Sequence, residues 1–510
     1  MDKKPDRYHL AEQLDPHHLA ALMSFTFANQ QDGSLGLEPP SQLVKHGVTD
    51  DHSTSVRTFP VLDAIAGISI SEVESRVVAV ALQLNSQTQE IHLTIAANQM
   101  DKEKLVSHLT AVWGKLQTLS NAYAEERGGK SNLCGRGSPD IPAGVAYPLR
   151  VEIFRDIYQF CMGKQMKRMK KWLKGLISFM QHLVQRRGDA DLKGTDLNLH
   201  YVVVGLFTVL QFFMRLHDNP GTQLADREWE EIYMHTMWAT ENATIALKDR
   251  NRCETLAQEI KDCCTGDRFQ LRRALEKLTF LARRVDSLIS FAHSPRLRPA
   301  LQYAISISTV PELTRTVKLP RSREQWQSIL EVACTERADW QREKAEELLK
   351  KFESEECMCP LHPECGLIQY LETKRDGPWD DIPPFTYIGV SRLSCSGCRN
   401  WITAFNRLGG RQFYIGGTSG KWYWPWGMPM GEESLGKIMA RRVSRQYLAY
   451  QDLRSQSARS SLVRAQPLLS AAERERIFAR ILAEQNYGDT PLEWLEGALS
   501  AWRDRMRLSK

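Results

Sequence analysis

A chain of 510 residues, 42% hydrophobic and 25% charged, has a globular composition and is too long for one hydrophobic core, so two or three structural units are expected. A formal charge of +6 is mild at that length; it permits a polyanionic partner without arguing for one. Eleven cysteines without small-scaffold spacing, behind the polar start "MDKKPDRYHLAEQLD", argue against a disulfide-built secreted scaffold. They point instead to an intracellular setting, cytoplasmic or nuclear, where clustered Cys and His mean metal or catalysis.

In chain order, residues 1–60 read as a polar lead-in with one helix around Leu19 to Phe27. The period then changes to two. Within 61–100, "VVAVALQLNSQTQEIHLTIAAN" (Val77–Asn98) places two β-branched runs around a polar turn, a hairpin pattern. From Asp101 the period is helical to about residue 350: Leu105, Leu109, Val112, Leu116 and Leu119 form one stripe. Further amphipathic stretches follow near Val151–Arg187, Leu197–Leu216, Glu228–Lys248, Thr255–Ile289 and Ser322–Phe352. "LHYVVVGLFTVLQFFMRL" (Leu199–Leu216) is short for a bilayer and is interrupted by His200, Gln211 and Arg215, so a buried helix is expected and no membrane partner. The basic run "KQMKRMKKWLKG" (Lys164–Gly175) is either a solvated helix face or a track for phosphates.

Residues 351–435 have an α/β texture, and 436–510 read as a basic, helical C-terminal tail. Two phosphate-loop look-alikes fail. "GGKS" (Gly128–Ser131) has Ala124 where the first glycine belongs, and "GGTSGK" (Gly416–Lys421) has Ile415 there.

The chemistry concentrates in 351–435. In "LHPE", His362 and Glu364 converge only across a helix start, and Pro363 suits the first helical position. "FTYIGV" (Phe385–Val390) reads as a strand feeding a second helix in "SCSGCRNWITAFNRLGG", with Cys395 and Cys398 on one face of its N-terminus. The positive end of that helix favours thiolates. One imidazole and two thiolates leave a tetrahedral zinc with a fourth position for a water of lowered pKa, and Glu364 stands ready to move its proton. The competing reading is a closed structural knot that recruits Cys357, Cys359 or Cys365. In "KWYWPWG", Trp422 and Trp424 either stack on a base or pack a loop over the sheet.

His-x-Glu followed across a strand by Cys-x-x-Cys resembles the zinc deaminases of the cytidine deaminase superfamily. The strings "LHPECGLIQYL", "IGVSRLSCSGCRNWI" and "GTSGKWYWPWGMP" look like one deaminase-like branch, abundant in fungi. The resemblance covers Glu356 to Pro429. It implies an α/β fold: a cytidine-deaminase-like mixed sheet with zinc-bearing helices, here carrying a large, mostly helical insertion at 101–350. It also implies zinc on His362, Cys395 and Cys398, Glu364 as proton shuttle, and Asn98 as a nucleoside contact, unless Asn98 is merely a turn residue after its strand. The substrate would be a base, nucleotide or single-stranded nucleic acid. Ser394 stands where a proline usually precedes the first cysteine, which implies a looser turn, and Ser419 where the family often has a histidine. A different class fits those departures: a catalytically silent, zinc-stabilised interaction module using the helical insertion as its protein-partner surface.

Overall fold

The structure, a computed structural model, describes residues 10–28, 54–71, 77–98, 101–126, 145–187, 192–218, 223–261, 270–333, 338–354, 356–373, 377–429 and 433–463. The "GGKS" stretch and everything after Val463 lie outside the described residues.

In chain order the elements are α1 (Pro16–Ala28), α2 (Thr54–Ile68), β1 (Val78–Asn85), β2 (Glu90–Ala97) and α3 (Lys102–Glu126). Seven helices follow: α4 (Ala146–Arg187), α5 (Thr195–Asp218), α6 (Asp226–Lys248), α7 (Arg250–Lys261), α8 (Leu271–Leu278), α9 (Phe280–His293) and α10 (Arg298–Leu301). Then come β3 (Ala304–Thr309), β4 (Thr314–Lys318), α11 (Arg323–Ala333), α12 (Ala338–Lys351) and β5 (Glu356–Pro360). The chain continues through α13 (Pro363–Glu372), β6 (Tyr387–Val390), α14 (Ser396–Phe405), β7 (Tyr414–Ile415) and α15 (Glu433–Val463).

Two compact units divide the described residues: one within 1–70, 75–111 and 302–465, the other within 112–301. The first is a mixed α/β unit. Its five-stranded sheet has the order β3-β2-β1-β6-β7. β1 pairs antiparallel with both β2 and β6, whereas β2–β3 and β6–β7 are parallel. The hairpin and the strand after the first metal helix therefore share one sheet, through Ala79 opposite Val390 and Val80 opposite Gly389.

Alternation along the strands decides what covers each face. Small residues on one side, Ala79, Ala81 and Ala96, join Cys365, Leu367, Ile368, Ile388 and Val390 in one core, which lets α13 lie close over β1 and β2. On the other side α2 packs on β6 and β1. There a Cβ at Gly389 would stand 2.3 Å from the Leu62 backbone carbon. Asp63 ties the helix down by accepting from the Val390 amide and the Tyr387 hydroxyl, both at 2.9 Å.

The expected boundaries shift in three places. Residues 61–68 belong to α2 rather than to the hairpin. The helical insertion is shorter than 101–350, because β3 returns to pair with β2 and β4 pairs with β5. The alternation in "AISIST" is weakly polar, and only a paired neighbour makes it a strand. The tail is also less separate than expected, since α15 packs on α14 and α1.

The second unit is helical. The apolar stretch inside α5 is core: Val202, Val203, Val204, Leu206 and Phe213 are buried, and α5 packs against α6 and α4. A ring cluster of Phe154, Tyr158, Phe213 and Tyr233 fills its centre.

A side chain at Gly389 has nowhere to go without moving α2. Gly389→Val should destabilise the protein by about 3 kcal/mol or prevent folding, read from urea denaturation. An unchanged midpoint would mean that α2 is not seated there.

Candidate metal centre

Both metal-bearing helices begin where their residues put the caps. His362 is the N-cap of α13 with extended backbone (φ −68°, ψ 145°), and Pro363 occupies the first turn. Its carbonyl accepts from the Cys365 and Gly366 amides at 3.0 and 2.9 Å. Cys395 is the N-cap of α14 (φ −74°, ψ 163°), and its sulfur accepts from the Cys398 amide at 3.4 Å. Neither helix reaches the expected end: α13 stops at Glu372 and α14 at Phe405.

The two caps meet. His362 Nδ1 lies 3.4 Å from Cys395 Sγ and 3.3 Å from Cys398 Sγ, and the two sulfurs are 3.4 Å apart. All three donor atoms fall within 4.8 Å of one another. Among the described residues no other group of three or more such donors lies that close. Cys365 is buried and within hydrogen-bond reach of Cys398, but neither it nor Cys357 or Cys359 belongs to the cluster. A closed four-ligand knot is therefore not assembled from the described residues.

A loop clamps both helix starts. The Ser396 amide donates to the Lys421 carbonyl (2.8 Å) and the Gly427 amide to the Pro360 carbonyl (2.9 Å), so residues 416–428 span from one cap to the other. Gly427 is required by space: a Cβ there would stand 2.6 Å from the Cys359 carbonyl oxygen. Ser394 does not loosen the turn. Its amide donates to the Gly417 carbonyl, and its carbonyl accepts from the Ser419 amide and hydroxyl at 2.8 and 3.2 Å. Ser419 thus spends its side chain on that turn.

The two singled-out tryptophans pack. Trp422 is only 6% exposed in the core, and half-buried Trp424 meets Phe352 edge-on at 5.8 Å. The tryptophan that meets the cluster is Trp426, fully buried, whose Nε1–H donates to Cys398 Sγ at 3.4 Å. Behind it His17 Nδ1 bonds Asp15 (2.9 Å), and its Nε2 accepts from the Met428 amide (3.1 Å). Gly397 leaves room for the Trp426 ring, since a Cβ there would stand 3.1 Å from its Cε2. Nothing in the polar lead-in marked His17. Asn98 lies beside Pro363, Leu361 and Gly366 on a cleft of about 10 Å³, room for one water.

Electrostatics reverse one expectation. Burial, then Cys398, pushes Cys395 well above its ordinary value, and burial, then Cys365, does the same to Cys398. Without a cation, burial outweighs the helix terminus that was expected to favour thiolates. Burial alone would lower His362, but its contact with Cys395 and the Glu364 carboxylate carry it up to about 9. Glu364 itself is 2% exposed, and its Oε2 has no hydrogen-bond partner among the described residues. The set is two sulfurs, one imidazole and an unsatisfied carboxylate, in a pocket too dry to hold bare thiolates. It suits a divalent cation that would supply the missing positive charge.

The model of the OTT_1508-like deaminase family matches residues 361–430, the stretch from the bridge before His362 to just beyond the clamp loop. Residues 361–430 form a deaminase-family domain of the cytidine deaminase-like superfamily. No curated protein and no solved structure matches the chain. The deaminase domain is shorter than the unit that houses it, since β1–β5, α1, α2 and α15 all lie outside the matched residues.

Cys395→Ser should abolish tight metal binding, measured by metal content after dialysis, with the wild type holding about one divalent ion per chain. Metal uptake should release protons and weaken as pH falls, because each ligand must shed its proton. Trp426→Phe keeps the ring and removes the N–H donated to Cys398. It should weaken metal affinity about 10- to 100-fold in a chelator competition, and unchanged affinity would remove Trp426 from the site.

Proposed function

We propose that the deaminase domain is a zinc-dependent hydrolase that removes an exocyclic amine from a base, a nucleotide or a single-stranded nucleic acid. His362, Cys395 and Cys398 would hold the zinc, a soft-thiolate and imidazole set that favours this metal over hard cations. Held there, zinc supplies the Lewis acidity that makes a water proton available near neutral pH. Glu364 takes that proton and passes it to the departing nitrogen, so that water oxygen adds to the amine-bearing ring carbon and ammonia leaves. Asn98, on the same cleft as the start of α13, would orient the base through its amide.

The observation that carries this reading is the unsatisfied Oε2 of Glu364. A carboxylate this buried, with an oxygen unpaired, costs stability that a purely structural site has no reason to bear. One observation favours the silent interaction module instead: the cleft beside Asn98 and Pro363 is too small for a base. A turning-over enzyme must open it.

Glu364→Gln preserves shape and should preserve the metal while removing the proton carrier. Ammonia release from cytosine and adenine nucleosides, single-stranded DNA and RNA should fall by about 10²- to 10⁴-fold or more. Wild-type protein, metal-loaded and silent on all of these, would favour the module. Equal activity in the Gln variant would remove Glu364 from the chemistry.

A further inference from the structure

Helix α4 in the second unit carries the basic run, and its two faces separate cleanly. Met166, Met169, Leu173 and Leu176 are buried, whereas Lys167, Lys170, Lys171 and Lys174 are exposed, at the i, i+3, i+4 and i+7 spacing of a single face. No acidic residue occurs between Asp156 and Asp189, so this face has no alternating charge of its own. These four lysines form no ion pair among the described residues. Elsewhere in the unit several cations are matched: Arg155 with Asp226 at 2.9 Å, Arg215 with Glu228 at 2.6 Å, Arg252 with Asp196 at 2.7 Å.

What faces the lysines adds positive charge. Helices α8 and α9 pack against α4. Arg273 of α8 lies over the Trp172 ring (5.7 Å) together with Lys171 (5.4 Å), and Arg284 of α9 lies over Phe280 (4.9 Å) together with Arg168 (4.5 Å). The nearby Glu276 is engaged by Arg272 at 3.1 Å. An aromatic ring steadies a cation without neutralising it, and a guanidinium resting on a ring keeps its in-plane N–H donors for an anion. A solvated face needs no such support. Point charges at helical spacing flanked by ring-steadied guanidiniums match a chain of phosphates, where each contact releases a counterion.

We infer that the exposed face of α4, with Arg273 and Arg284 beside it, docks the phosphate backbone of a nucleic acid without reading its sequence. This surface belongs to the second unit and the metal centre to the first, and the inference does not depend on the deaminase reading.

The test uses the full chain and labelled mixed-sequence DNA and RNA strands of about 20 nucleotides, with anisotropy followed from about 50 to 200 mM salt. Wild type should bind with an affinity that falls steeply with salt, equally for unrelated sequences. Replacing three exposed lysines together (Lys167→Gln, Lys171→Gln, Lys174→Gln) should weaken binding at least about tenfold and reduce the log–log salt slope by about 2. Circular dichroism should show the same melting curve, since no buried group is lost. The triple variant should hold as much metal as wild type does, which separates this result from any failure of the deaminase reading. Absence of binding, or an unchanged slope in the triple variant, overturns the inference. So does tighter association with phosphatidylserine vesicles or polyglutamate than with nucleic acid.

Discussion

Two helix N-termini have to arrive at one point, and the rest of the first unit is arranged around that convergence. An imidazole at one cap and two sulfurs at the other come within 3.3–3.4 Å only because each helix start is pinned from outside its own segment. The sheet supplies the coarse placement, with α13 lying over β1 and β2, and β6 feeding the turn into α14. The loop at 416–428 supplies the fine placement: its Lys421 carbonyl accepts from the Ser396 amide, and its Gly427 amide donates to the Pro360 carbonyl. Side chains alone would not hold donor atoms to a few tenths of an ångström, whereas backbone ladders restrict the caps directly.

That convergence creates an electrostatic demand. Packing two sulfurs, an imidazole and a carboxylate into a buried pocket drives the thiols toward neutrality and His362 toward the imidazolium. A divalent cation would satisfy all four groups at once, so the packing that makes the cluster unfavourable on its own suits it to hold a metal. Trp426 and the Asp15–His17–Met428 chain lie just outside, where hydrogen bonds set the basicity and position of the ligands.

The helical unit interrupts the α/β unit between β2 and β3. These strands are parallel, and a parallel pair needs a crossover of a dozen or more residues in any case. Because closure entropy grows only slowly with length, enlarging that crossover into a helical unit costs the sheet little.

Much of the site was legible in the sequence because its determinants are local. Pro363 after His362 marks a helix start, the Cys395–Cys398 spacing marks one face of another, and the strand between them is bounded by prolines. The hairpin at Val77–Asn98 was visible for the same reason, since alternation around a polar turn involves only neighbours along the chain. What required the tertiary structure depends on residues well beyond local reach along the chain. Strand β3 is a strand because β2 pairs with it, and Ser394 holds a tight turn because Ser419 and Gly417 bond to it. Of three tryptophans in one short loop, the one that meets Cys398 is chosen by the loop's path over Gly397, a matter of packing that no period or spacing encodes. The sequence by itself determined which residues can bind a metal; only the folded chain decided that they meet, because local dihedral preferences set caps and periods while long-range packing sets distances.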